Sequence, residues 1–133
     1  MKPFLKWAGG KYRIIERVLA ELPTGNRLVE PFVGSGAVFL NAGFDTATVS
    51  DSNQDLIRLY QIIQAEGEAF AHYAAALFVP ENNTETVFYQ FREEFNASSD
   101  LARKAALFVY LNRHCFNGLC RYNGKGKFNV PFG

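Results

Sequence analysis

The stretch Leu28-Val29-Glu30-Pro31-Phe32-Val33-Gly34-Ser35-Gly36-Ala37-Val38, LVEPFVGSGAV in residues 28–38, decides how the fold is read. Residues 27–30 form a short β-prone run that Pro31 ends. The two glycines let the backbone turn tightly and approach a ligand with no Cβ in the way. Residues 37–43, AVFLNAG, predict a helix that Gly43 closes. Strand, glycine turn and helix, in that order, is the arrangement in which parallel α/β sheets hold nucleotides and nucleosides.

Working outward, residues 46–50 (TATVS) are a second β-prone run ending at Asp51, after which Leu56, Ile57, Tyr60 and Ile63 keep helical spacing. The order β-α-β-α predicts a parallel sheet with crossover helices. Asp51 lies 17 residues after Gly34, about where a doubly wound fold places the acid that accepts hydrogen bonds from a ribose. An Asp in that place also serves as an ordinary turn or helix-cap residue. The third glycine of the dinucleotide fingerprint is replaced by Phe39, which points to an adenosine-containing ligand without a pyrophosphate and away from NAD and a Rossmann-type oxidoreductase.

Upstream, Ile14, Ile15, Val18, Leu19 and Leu22 predict a helix over 10–22 with one buried face, stopped by Pro23-Thr24-Gly25-Asn26. The segment before it, FLKWAGGK (4–11), is either a buried aromatic start or part of a ligand cradle. It is not a nucleoside-triphosphate loop, because no strand precedes the glycines and Lys11 is followed by Tyr12 instead of Ser or Thr. Downstream, helices are expected over 66–78, 85–96 and 100–113, then a basic hairpin centred on Asn123-Gly124-Lys125-Gly126. Two or three strands do not complete a doubly wound sheet.

A length of 133 residues with 48% hydrophobic content suits one globular unit. No apolar run approaches the roughly 20 residues of a membrane span, and Lys2 and Lys6 interrupt any leader-like start, so a soluble, cytoplasmic protein is expected. Cys115 and Cys120 lack the company of a zinc site and are expected as free thiols; His72 and His114 are assigned no catalytic role. The net charge of +1 conceals an asymmetry. Residues 1–100 carry 8 Lys and Arg against 13 Asp and Glu, whereas residues 101–133 carry six basic residues and no acid. Such a segment faces a polyanion or is a solvated surface.

FLKWAGGK, LVEPFVGSG, Asp51-Ser52-Asn53, YQFREEFN (89–96), LNR (111–113), FNGLCRYN (116–123) and FNVPFG (128–133) occur in the order in which they stand in the Dam-type DNA adenine-N6 methyltransferases, and the chain resembles the N-terminal half of that family. The resemblance implies a partial Rossmann-like, S-adenosylmethionine-dependent α/β fold, with cofactor-binding residues in 1–65 and a helical and β-hairpin target-recognition region in 66–133. Trp7, Lys11, Phe32, Gly34, Ser35 and Asp51 would then hold S-adenosylmethionine. Double-stranded DNA at GATC would be the partner, met by Lys6, Arg113, Asn117, Arg121, Asn123 and Asn129 as polar contacts and by Phe116 and Leu119 as wedges. Physical chemistry agrees with these residue types: Arg pairs bidentately with guanine, Asn with adenine, and apolar side chains enter base steps. The family commonly has a tyrosine where this chain has Phe116, so stacking survives and a hydroxyl contact is lost. Asn123 also reads as a simple turn residue.

The family's catalytic Asp-Pro-Pro-Tyr motif is absent: Pro3, Pro23, Pro31, Pro80 and Pro131 include no adjacent pair. No residue is therefore assigned to catalysis, and the chain alone is expected to transfer no methyl group. A missing C-terminal half would carry that motif. The alternative is a DNA- or cofactor-binding remnant, or one half of a split enzyme.

Overall fold

A computed structural model describes residues 1–133 as an α/β protein with five α-helices and one two-stranded sheet. The chain falls into two compact units, Met1–Gln54 and Asp55–Gly133. This division lies ahead of the 65/66 boundary and leaves nearly all of the helix Gln54–Glu66 in the second unit. No helix is long and apolar enough to cross a membrane.

In the first unit, β1 (Arg27–Glu30) and β2 (Thr46–Val49) pair in parallel, with Leu28 opposite Ala47 and Glu30 opposite Val49. The pairing runs past the strands: the Ser50 N–H donates to the Glu30 carbonyl and the Val33 N–H to the Ser50 carbonyl, both at 2.9 Å. This extension brings the glycine loop against the end of β2. Leu28 is buried, whereas Val29, pointing the other way as strand alternation requires, is 64% exposed. The expected first helix starts as a 3-10 turn, Lys11–Ile14, and continues as α1 (Ile15–Glu21). Its apolar stripe is only half-buried, with Ile14 exposed, because a two-stranded sheet offers little surface to cover it.

The helix expected after the glycine loop is instead a run of turns. Leu40 and Ala42 donate four residues back, to Gly36 and Val38, but the Asn41 N–H turns to Val38, and the Asn41 side-chain amide takes the Ala37 carbonyl at 2.8 Å. The Phe39 N–H is held by the Glu30 carboxylate at 3.2 Å. Side chains thus occupy backbone positions that a helix needs for its own ladder.

The second unit contains α2 (Gln54–Glu66), α3 (Glu68–Ala75), α4 (Glu85–Ala97) and α5 (Leu101–His114). The helix expected over 66–78 is thus shorter, and a 3-10 turn, Pro80–Asn82, follows it. Thr84 caps α4 by accepting from the Val87 N–H, and Asp100 caps α5 by accepting from the Arg103 N–H. α5 packs against α3 and α4. Phe88, Phe95, Phe108, Tyr110 and Leu111 are essentially inaccessible to solvent. The Tyr110 hydroxyl escapes an unpaired fate by donating to the Asn82 carbonyl at 2.5 Å, and burial raises its pKa above the ordinary tyrosine value. Cys115 and Cys120 are free thiols, as expected.

The C-terminal hairpin forms with very little ladder. Tyr122 and Phe128 make an antiparallel bridge, the Asn123 N–H donates to the Lys127 carbonyl at 2.8 Å, and Cys115 bridges Phe132. What fixes the hairpin is its contacts with helices. The Asn96 side chain both donates to the Phe128 carbonyl (3.0 Å) and accepts from the Phe128 N–H (2.8 Å), imitating a strand neighbour, while Arg92 donates to the Val130 carbonyl. On the opposite arm the Tyr122 hydroxyl donates to the Asp55 carboxylate at 2.8 Å.

Candidate functional site

Trp7, Ala8, Gly9 and Gly10 form a tight turn, closed by the Gly10 N–H donating to the Trp7 carbonyl, with Gly9 at φ +72°. The turn sets the indole of Trp7 on Gly34. A Cβ at Gly34 would lie 2.9 Å from Trp7 Cδ1, and Gly34 itself has φ +50°. Glycine is required there twice over, by backbone conformation and by the approach of the ring. Ser35 is buried beneath, with its hydroxyl facing Gly10.

Between these segments lies a cleft of about 430 Å³, within the range of small-ligand sites. Trp7, Lys11, Phe32, Gly34, Ser35 and Asp51 all line it, so the structure brings together the six residues singled out in the sequence. Phe32 is 86% exposed at its rim. Asp51 organises the floor: one carboxylate oxygen accepts from the Gly34 N–H at 3.0 Å and the other from the Asn53 N–H at 2.9 Å. It therefore ties the glycine loop to β2 and also turns the chain toward α2. The ribose-acceptor and turn readings of Asp51 are compatible, because each oxygen keeps a lone pair. The Lys11 ammonium donates to the Gly9 carbonyl and stays exposed.

Glu30 is a lining residue that sequence reasoning missed. Partial burial raises its carboxyl pKa above the usual value, against the smaller opposing effect of the Phe39 N–H. The available signal was an acid as the last residue of β1, directly before the loop.

The remaining polar candidates lie elsewhere. Lys6 is exposed and does not line the cleft. In the second unit Arg113 is exposed at the end of α5, and Phe116, Asn117 and Leu119 are exposed on the short 3-10 loop that follows, with Asn117 at φ +53°. The buried Asn112 steadies this loop by donating to the Gly118 carbonyl. Arg121 and Asn129 pair across the hairpin. The Asn123 side-chain oxygen accepts from the N–H groups of Lys125 and Lys127, the turn role that its position allowed. Of the six basic residues after position 100, Arg103 is committed to Glu94 at 2.6 and 3.0 Å, and Lys104 to Asp55 at 3.7 Å. Arg113, Arg121, Lys125 and Lys127 form the exposed basic set.

A family model for D12 class N6 adenine-specific DNA methyltransferases matches residues 7–133. The chain is 55% identical over 132 residues to the DNA adenine methylase of Escherichia coli strain K12, covering 99% of this chain and 48% of the relative. It is 53% identical to the DNA adenine methylase of Serratia marcescens and 51% identical to that of Vibrio cholerae, again over 99% of this chain and 49% and 48% of those proteins. The chain thus spans about half the length of the curated relatives it matches.

Proposed function

The chain belongs to the D12 class N6 adenine-specific DNA methyltransferases, and from that premise we propose that it is the cofactor-holding and target-reading part of an S-adenosylmethionine-dependent enzyme that methylates adenine in GATC duplexes. The observation that carries the reading is the single cleft lined by Trp7, Lys11, Phe32, Gly34, Ser35 and Asp51. β1, the glycine loop and β2 are the opening of a Rossmann-like sheet in this account, and the protein works in the cytoplasm on double-stranded DNA.

The cleft's donor set fits the cofactor. Trp7 and Phe32 offer aromatic faces to an adenine, Asp51 keeps acceptor capacity for ribose hydroxyls, and the partly desolvated Glu30 suits a cationic group. Lys11 is the counterpart for a carboxylate. When bound, S-adenosylmethionine supplies an electrophilic methyl group. The protein's own task at this site is to orient the ligand on a rigid glycine turn and to shield it beneath Trp7. In the second unit, the exposed basic set neutralises phosphate, Arg121 reaches a base edge, and Phe116 and Leu119 enter the stack as the target adenine leaves it. These 133 residues hold no Asp-Pro-Pro-Tyr, so the chain alone transfers no methyl group. The alternative, a binding module or half of a split enzyme, is distinguished from this reading by the coding sequence beyond codon 133.

Trp7 is the only tryptophan, which makes its fluorescence a direct probe of the cleft. Titration with S-adenosylmethionine should give a saturable change, and NADH none. No change in a folded sample would remove the cofactor assignment.

A further inference from the structure

We propose that Asn129 is a positioning residue for Arg121, holding its guanidinium in the orientation that reads DNA, and is not itself a base reader. The Arg121 Nε–H donates to the Asn129 side-chain oxygen at 2.8 Å, and Arg121 Nη2 donates to the Asn129 backbone carbonyl at 3.3 Å. The backbone closes the loop, since the Asn129 N–H donates to the Arg121 carbonyl at 3.1 Å. The atom facing Nε must be the oxygen, because Nε is only a donor.

Two consequences follow from donor counting. A guanidinium has five N–H groups, and gripping it on the Nε side leaves both Nη1 hydrogens and one on Nη2 pointing away from Asn129, the edge that meets a guanine or a phosphate in a fork. Asn129, conversely, has its side-chain oxygen turned onto Arg121 Nε, and reading adenine requires an asparagine's oxygen and nitrogen to face the base edge together. The support is rigid: the arm carrying Asn129 is clamped on either side by Asn96 at Phe128 and Arg92 at Val130. A long exposed side chain held in place before binding loses less rotamer freedom on contact.

The proposal rests on Arg121 touching DNA, and the test separates the two claims. Binding of the 133-residue chain to a short duplex with one GATC site, and to a duplex with one G·C pair of that site exchanged, is measured by fluorescence anisotropy for the wild type, Arg121→Ala, Asn129→Ala and the double variant. Asn129→Ala should weaken GATC binding by about three- to tenfold and narrow the preference over the exchanged duplex, yet cost nothing further once Arg121 is alanine. An equal loss in both backgrounds, or none in either, while Arg121→Ala still weakens binding, overturns the positioning role alone. A wild type that does not bind, or an Arg121→Ala chain that binds unchanged, overturns the reading of Arg121 and the proposal with it. Should Asn129→Ala not fold by circular dichroism, Asn129→Asp, which keeps the acceptor oxygen, is examined by NMR. A protected Arg121 Nε–H signal supports the grip, and an unprotected one refutes it.

Discussion

Gly34→Ala tests the architecture of the cleft at its tightest point. Gly34 sits at φ +50°, and an added methyl would meet Trp7 Cδ1 at 2.9 Å and Nε1 at 3.1 Å. Gly43 supplies the control in the same unit, with φ +69° and nothing within 4 Å of the place an added methyl would take. The left-handed backbone should cost either alanine about 1–2 kcal/mol. At Gly34 the indole must also move, an overpacking cost of about 1–3 kcal/mol. Gly34→Ala is therefore expected to cost about 2–5 kcal/mol and Gly43→Ala only the backbone share of about 1–2 kcal/mol. Urea unfolding followed by Trp7 emission reads this unit selectively, because the only tryptophan lies in it. A red-shifted native emission in Gly34→Ala alone would report the displaced ring. Equal losses for the two variants, with unchanged emission, would refute the packing of Trp7 on Gly34 and the cradle built on it.

Two carboxylates should respond to pH in opposite senses. Glu94 is held below its usual value chiefly by the Arg103 hydrogen bond, so its contribution is present above about pH 4.5 and lost as pH falls through the depressed value; Glu94→Gln should lower the urea midpoint at pH 7 and lose that effect near pH 3. The pair is partly exposed, so the effect should be below about 1 kcal/mol. Glu30 is raised by burial, so its contribution is present below 4.5 and lost as pH rises through the raised value; Glu30→Gln should remove that loss and make the Trp7-detected midpoint at pH 7 higher than in the wild type. Tyr122→Phe should cost about 1–3 kcal/mol by leaving the Asp55 carboxylate without its hydroxyl donor, measured by urea unfolding with circular dichroism. Burial, with Cys120 and Asp55 adding to it, also holds the Tyr122 hydroxyl far above the ordinary tyrosine range, so an alkaline absorbance titration should gain no ionisation from that ring before unfolding.

Local chemistry determined a good part of this protein from sequence alone. Leu28, the glycines of the loop and Asp51 specify a strand, a turn and a second strand because each preference acts within a few residues, and β1 and β2 pair as that order requires. The helices α2, α4 and α5 follow from their apolar spacing and from caps at Thr84 and Asp100. Of the six cleft residues, Gly34 and Asp51 were legible from their positions around the strands, while Trp7, Lys11, Phe32 and Ser35 were named through the family resemblance. Tertiary structure decided what depends on a distant partner. The segment after Gly36 is not a helix, because Glu30 and Asn41 take its backbone groups. Arg103 and Lys104 counted toward the basic C-terminal segment in the sequence, yet Glu94 and Asp55 engage them. Asn129 read as a DNA contact, while its side-chain oxygen is committed to Arg121. A side chain's chemistry is set by its type, but which of its donors and acceptors remain for a ligand is set by the neighbours that folding delivers.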